Sequence, residues 1–128
     1  MKVTLISFGF KYGVPKELTF LWDVRSLPNP HWVDELRPKT GLDQKISRYV
    51  LASEEGSRFL KLLQPLVLFL VEQNIVAGKK TMVMGVGCTG GRHRSVAIVE
   101  ALGKTLKPLP VELQWLHRDI DKDARPGG

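Results

Sequence analysis

The sequence predicts a single α/β domain with three layers, a mainly parallel sheet and helices on both faces. Short aliphatic and β-branched runs alternate along the chain with segments whose apolar residues recur at helical spacing. Helices that connect strands imply right-handed crossovers, and hence parallel neighbours in the sheet. The length of 128 residues fits one domain, and 43% hydrophobic residues can furnish one core.

Four apolar runs are predicted to be strands, and glycine or proline bounds most of them. Three helices are predicted between or before them. Asp43 can cap the first, which carries Ile46, Tyr49 and Val50 on one stripe. Pro65 is expected to kink or split the second, and the third ends before Pro108. The predicted strands are 3–8, 19–25, 81–85 and 111–116, and the second and third helices are 53–74 and 96–106.

Composition narrows the class of protein. The net charge of +6 permits attraction to nucleic acid or to phosphorylated metabolites. A single cysteine excludes an internal disulfide and fits a reducing compartment. The start shows no signal-peptide pattern, and the apolar run 65–71 is far shorter than the ~20 residues of a membrane span. We therefore expect a cytoplasmic protein without a membrane partner, with a folded domain over 1–118 and a polar, flexible tail over 119–128.

A glycine-rich turn with two arginines lies between the third strand and the third helix, over residues 85–95. Glycines let backbone N–H groups converge, and the helix N-terminus adds the positive end of its dipole. Phosphate is the anion that this combination favours. The predicted phosphate ligands are Cys88, Thr89, Gly90, Gly91, Arg92, His93, Arg94 and Ser95.

Two other segments are predicted to form the wall of the pocket. Asp23 and Arg25 are two residues apart at the end of the second strand, and hence on one face. Residues 27–41 form a loop that three prolines stiffen, and long loops inside small domains are often functional. This loop supplies Asn29, His31 and Arg37. Packing of His31 and Trp32 at the edge of the core is the alternative for those two side chains.

Three functions are consistent with the glycine turn. Gly85-Val86-Gly87-Cys88-Thr89-Gly90 fits the dinucleotide pattern G-x-G-x-x-G, but too few residues follow for the remaining strands of that fold, and no Walker A sequence occurs. Cys88-x5-Arg94-Ser95 is spaced as in cysteine-dependent phosphatases, with Cys88 as nucleophile, Arg94 as oxyanion ligand and Asp23 as general acid. The same loop can also bind a phosphate monoester without chemistry.

Four blocks of sequence strongly resemble the C-terminal domain of the RapZ family of RNase adapter proteins. They are 7–15, 23–32, 36–41 and 87–95, in that order along nearly the whole chain. The resemblance implies an α/β domain that senses glucosamine-6-phosphate, binds small regulatory RNA, contacts an endoribonuclease and self-associates. Carried over residue by residue, its ligand pocket is faced by Asp23, Arg25, Asn29 and His31. The residues of the turn that it includes are Cys88, Thr89, Gly90, Gly91, His93, Arg94 and Ser95. We predict neither a cofactor nor a metal site.

The end of the chain departs from the family pattern. Where the family has a run of Lys and Arg, this chain has aspartates interleaved at 119, 121 and 123. Carboxylates repel the phosphates of RNA. Any RNA surface is therefore expected from Lys104, Lys107 and Arg118. The function predicted here is sensing of a phosphorylated metabolite in a regulatory role associated with RNA, and the alternative is a cysteine-dependent phosphatase.

Overall fold

The computed structural model describes residues 1–122. Four parallel strands form one sheet in the order β2-β3-β1-β4: β1 is Lys2–Gly9, β2 is Phe20–Asp23, β3 is Thr81–Cys88 and β4 is Glu112–His117. Helix α1 is Gln44–Leu51, α2 is Glu54–Val76 and α3 is Arg94–Leu106. The three helices pack around the sheet, as in a three-layer α/β fold. The predicted class is therefore confirmed.

The core lies between the two central strands and the helices. Val3 and Leu5 of β1, with Met82 and Met84 of β3, are fully buried against Leu102 of α3. Helix α1 contributes Ile46 and Val50, whereas Tyr49 of the predicted stripe is 37% exposed. Helix α2 contributes Leu63, Val67 and Val71 to the same core.

Strand β3 is longer than predicted, and the difference concerns the glycine pattern itself. It continues through Gly85 and Gly87 to Cys88, pairing with β1 along its whole length. A Cβ on Gly85 would lie 2.6 Å from the Leu18 side chain, and one on Gly87 would lie 2.5 Å from the Phe10 ring. Glycine is therefore needed at both positions because the side chains of Leu18 and Phe10 occupy the space that a Cβ would take. Of the pattern over residues 85–90, only Thr89 and Gly90 therefore lie in the turn.

Helix α2 runs unbroken through Pro65, so of the two expected effects of this proline, a kink or a split, the split does not occur. Pro65 faces solvent, where the single N–H that it lacks leaves no buried carbonyl unpaired.

By length and composition α2 is the one helix of the described chain that could cross a bilayer. Its inner face nevertheless packs into the core of this domain.

The predicted tail begins inside the folded domain. Asp119 is fully buried, accepts a 2.7 Å hydrogen bond from the backbone N–H of Gly9 and pairs with Arg118 and Lys122. Burial acts to raise the pKa of this carboxyl, but the hydrogen bonds from Arg118, Gly9 and Lys122 prevail, and the pKa is lowered. Residues 119–122 thus belong to the domain, and 123–128 lie outside the described residues.

Candidate anion-binding site

The predicted site residues gather at the carboxyl edge of the sheet. Strands β1, β2 and β3 end there side by side, at Gly9, Asp23 and Cys88. Ligands of open parallel sheets bind outside this edge. Helix α3 starts at the same edge, because it follows β3 after a turn of only five residues, 89–93.

The turn lies directly on the end of β1. Gly91 has φ +76°, and a Cβ there would lie 2.5 Å from the backbone nitrogen of Gly9. A Cβ on Gly9 would in turn lie 2.4 Å from the carbonyl carbon of Gly90. Two backbone segments therefore touch without side chains between them, which only glycine allows. This contact fixes the position of the turn relative to the sheet.

Arg94 is the buried cation of the site. The residue is 3% exposed, and its guanidinium donates to the carbonyls of Arg25 at 2.6 Å and Leu27 at 3.3 Å. Its Nε is buried and has no hydrogen-bond partner within the part of the chain that the structure describes. No carboxylate of residues 1–122 forms an ion pair with it. Burial is the main cause that lowers the pKa of Arg94.

The N-terminus of α3 adds backbone donors beside Arg94. His93 occupies the cap position, but its side chain makes no capping hydrogen bond, and the first turn contains no acidic residue. The first N–H groups of a helix have no partner within it. An anion placed there would interact with these N–H groups and with the positive end of the helix dipole.

Cys88 and Ser95 form the floor beneath the turn. Both are fully buried, and the Cys88 Sγ lies 3.2 Å from the Ser95 Oγ and 3.3 Å from the backbone nitrogen of Gly91. Thr89 is at the rim, where its Oγ1 is 3.5 Å from Nη2 of Arg94. The hydroxyls and the thiol predicted as phosphate ligands are thus brought together with Arg94.

Asp23 and Arg25 form an ion pair on the wall. Nη2 of Arg25 lies 2.7 Å from Oδ2 of Asp23, and its Nε lies 3.0 Å from Oδ1. The Arg25 guanidinium also covers the Phe10 ring at 4.0 Å. The hydrogen bond from Arg25 is the main cause that lowers the pKa of Asp23. Strand β2 ends at Asp23, two residues earlier than predicted, since Arg25 folds back onto that carboxylate.

The proline-rich loop supplies the other side of the wall. Asn29 accepts a hydrogen bond from the backbone N–H of His31 and thereby caps a single turn of 3-10 helix, Pro30–Trp32. His31 is buried, packs edge-on against Trp32, and leaves its Nδ1 buried without a hydrogen-bond partner among the described residues. Arg37 directs its guanidinium to the carbonyl of His31 and to Asp34.

Two predicted ligands have their side chains engaged elsewhere. Arg92 donates to the carbonyls of Ile120, Lys122 and Pro38. His93 is fully buried, and its Nε2 lies 2.7 Å from the Lys39 carbonyl and 3.1 Å from that of Arg37. Since carbonyls only accept, Nε2 carries the proton. Both side chains fasten neighbouring loops to the turn.

Sequence reasoning missed Lys11. Its backbone N–H donates to the carbonyl of Thr89 at 3.2 Å, and its charge helps to lower the pKa of His31 after burial and Arg37. Its backbone thus lies at the turn, and its ammonium is close enough to His31 for its charge to act on that ring. The only signal in the sequence was its place in the loop directly after β1, at the carboxyl edge.

The three cations assigned to an RNA surface do not form one patch. Arg118 lies at the carboxyl edge, where it donates to Asp119 and to the carbonyl of Gly13. Lys104 and Lys107 lie at the other end of α3, about 15 Å and about 20 Å from Arg94 at 1.5 Å per residue. They are exposed.

Stability is expected to decrease as the pH falls below 6.5. Burial lowers the pKa of His93 and of His31 from 6.5, so both stay neutral in the folded state while they take up protons in the unfolded chain. Each histidine contributes a slope of at most about 1.4 kcal/mol per pH unit. The free energy of unfolding, measured by urea titration from pH 8 to 5, checks this.

The control is His93→Gln, which keeps an N–H donor for the two carbonyls but does not titrate. Its stability should depend on pH less steeply than that of the parent. An equal slope in both proteins would contradict the assignment to His93.

This geometry defines a parallel α/β domain with a buried arginine beside an uncapped helix N-terminus. The chain belongs to the RapZ C-terminal domain family, whose sequence pattern matches residues 1–121. It is 49% identical over 125 residues to a nucleotide-binding protein of Acetivibrio thermocellus, covering 98% of this chain and 43% of that protein.

Two further relatives are also called nucleotide-binding proteins. One, from Clostridium perfringens, is 44% identical over 127 residues, which are 99% of this chain and 43% of that protein. The other, from Caldanaerobacter subterraneus, is 46% identical over 121 residues, which are 94% of this chain and 43% of that protein. The chain thus spans less than half the length of the curated relatives it matches.

Proposed function

We propose that this domain binds a phosphorylated amino sugar, of the glucosamine-6-phosphate type, at the glycine turn and so serves as a metabolite sensor in a regulatory adapter. The single observation that carries the proposal is the buried guanidinium of Arg94, which has an unpartnered Nε and no carboxylate in an ion pair among residues 1–122. A buried charge is costly unless it is paired. A phosphate would supply the missing negative charge.

The phosphate would sit between Arg94 and the first turn of α3. The backbone N–H groups after His93 would donate to its oxygens, together with the Thr89 hydroxyl and the Lys11 ammonium. Charge-assisted hydrogen bonds of this kind are about twice as strong as neutral ones. Arg92 and His93 would act through the loops that they hold in place.

The sugar would face the wall. Asp23 is ionised at neutral pH, since the hydrogen bond from Arg25 lowers its pKa further below the ordinary value of an aspartate, and a carboxylate there would attract the ammonium of an amino sugar. The orphaned Nδ1 of His31 and the amide of Asn29 would bind hydroxyl groups. The relatives' name suggests a nucleotide instead, but no Walker A sequence occurs within these 128 residues.

Calorimetric titration with four compounds tests the proposal: glucosamine-6-phosphate, glucosamine, glucose-6-phosphate and inorganic phosphate. Loss of the phosphate should weaken binding by about 100-fold or more, because Arg94 is then left unpaired. Loss of the amine should weaken it less, since Asp23 is partly exposed. Equal affinity for glucosamine and its 6-phosphate, or no binding of either, would refute it.

The cysteine-dependent phosphatase is the second candidate, and the floor of the site is what favours it. The Gly91 N–H and the Ser95 hydroxyl both lie within hydrogen-bond reach of the Cys88 Sγ and would stabilise a thiolate. Attack of that sulfur on phosphorus would form a thiophosphate and expel the alcohol, which needs a proton from a general acid. Asp23 suits that role poorly, because its lowered pKa leaves it ionised.

Hydrolysis of an aryl phosphate distinguishes the two functions. A phosphatase predicts turnover by the parent protein and none by Cys88→Ser. Binding without turnover in both proteins would leave the sensor as the function.

A further inference from the structure

We propose that Asp119 is a positioning residue of the anion-binding site, because its carboxylate holds the end of β1 on which the glycine turn is packed. This inference rests on the proposed function, since it concerns what sets the geometry of that same site. Asp119 lies just after β4, in residues 118–122, which we call the β4 extension.

The Asp119 carboxylate takes the place of a strand carbonyl at the end of β1. Strand β4 ends at His117, which pairs with Ser7. The backbone N–H of Gly9, two residues further along β1, donates to Oδ2 of Asp119 at 2.7 Å. Without this carboxylate the N–H of Gly9 would be buried and unpaired, which is costly.

Two cations fix the position of this carboxylate. The Asp119 side chain is fully buried, and Nη2 of Arg118 donates to its Oδ2 at 2.9 Å. Nε of Arg118 lies 3.0 Å from Oδ1, and Nζ of Lys122 lies 2.8 Å from the same oxygen. Both oxygens are therefore engaged by donors, and the buried charge is paired.

The glycine turn packs on both Gly9 and Asp119. A Cβ on Gly91 would lie 2.5 Å from the Gly9 nitrogen and 2.9 Å from the Cβ of Asp119. Gly91 thus lies directly on the pair of groups that the 2.7 Å hydrogen bond joins. Any displacement of that pair moves the turn, because a close-packed interior transmits shifts to its neighbours.

Arg92 gives the β4 extension a second contact with the turn. Its Nη1 donates to the carbonyl of Ile120 at 2.6 Å and to that of Lys122 at 3.0 Å. The extension therefore touches the turn at two successive residues, Gly91 and Arg92. Packing of the extension and binding of an anion at the turn are then coupled, and each should favour the other.

Asp119 acts through the turn and does not itself bind the anion. Its oxygens are occupied by three donors of the domain, and a carboxylate repels a phosphate. Its role is distinct from that of Arg94, whose guanidinium would contact the phosphate.

Hydrogen–deuterium exchange of the whole chain tests the positioning without any ligand. Asp119→Asn keeps the shape of the side chain but loses its charge, so amide exchange at Gly9 and at residues 89–93 should become at least about 10-fold faster. Exchange in the core of β3, at Met82 and Met84, should not change. Unchanged exchange at the turn would overturn the proposal, and so would an equal increase along the whole chain, which would mean a general loss of stability.

Asp121→Asn is the matched control. Asp121 lies in the same β4 extension, but it is exposed and forms no ion pair within residues 1–122. This variant should exchange like the parent at every amide. Faster exchange at the turn in Asp121→Asn as well would assign the effect to the net charge of the extension and overturn the role of Asp119.

Calorimetric titration then measures the consequence for binding. Asp119→Asn should weaken binding of glucosamine-6-phosphate and of inorganic phosphate by the same factor, about 10-fold, because the turn contacts the group that the two share. A merely unstable variant would instead show fewer binding sites at an unchanged dissociation constant. Parent-like affinity in Asp119→Asn would overturn the coupling, whereas a parent that binds neither compound would refute the proposed function and leave the exchange experiment to decide on Asp119.

Discussion

Arg94→Ala is expected to reduce the affinity for glucosamine-6-phosphate by about 100-fold or more. The guanidinium is 3% exposed, so its interaction with a phosphate is little screened by solvent. Removing it would also leave the carbonyls of Arg25 and Leu27 without their donor. Calorimetry on the variant measures the loss of affinity.

Two further variants separate binding from folding. Arg94→Lys keeps the charge but loses the planar fork, and it should recover part of the affinity. Lys104→Ala removes an exposed cation from the far end of α3 and should bind like the parent. If Arg94→Ala is folded by circular dichroism and still binds with the parent's affinity, the phosphate lies elsewhere.

Gly91→Ala is expected to lower the free energy of unfolding by about 3 kcal/mol or more. The positive φ of +76° costs a side chain about 1 kcal/mol, and the new Cβ would lie 2.5 Å from the Gly9 nitrogen, which forces apart two backbone segments. Denaturant titration measures the difference.

Gly78→Ala is the matched control for Gly91→Ala. Gly78 also has a positive φ, +71°, but no atom of residues 1–122 lies within 4 Å of a Cβ built there. Its alanine variant should therefore lose only about 1 kcal/mol, the conformational cost. Equal losses in the two variants would show that the contact between the turn and β1 contributes nothing to stability.

The pairing of Asp23 with Arg25 is a part of the candidate site that local sequence is able to predict. Two residues apart at the end of a strand, they were expected on one face, and the structure places them in an ion pair. Spacing alone suffices here, because both side chains belong to one short segment. The same holds for Asn29, whose contact with His31 is equally local.

The different placements of the Arg92 and Arg94 side chains could not be predicted from the sequence. They are two residues apart in the same turn, and composition gives no reason to treat them differently. The structure turns one guanidinium towards the carbonyls of Pro38 and residues 120–122 and buries the other at the site. That choice depends on segments 28 to 69 residues away along the chain, which no local pattern contains.

The sequence by itself determined the parallel α/β class, the strand, turn and helix order around residues 85–95, and the loops that face the turn. Periodicity and glycine placement carry that information, because each acts over a few neighbouring residues. Only the tertiary structure decided that β3 extends to Cys88, that Asp119 is buried against β1, and that Arg94 is buried with its guanidinium on the carbonyls of Arg25 and Leu27. These three features depend on contacts with residues distant along the chain, and only the packing of the folded domain brings those residues together.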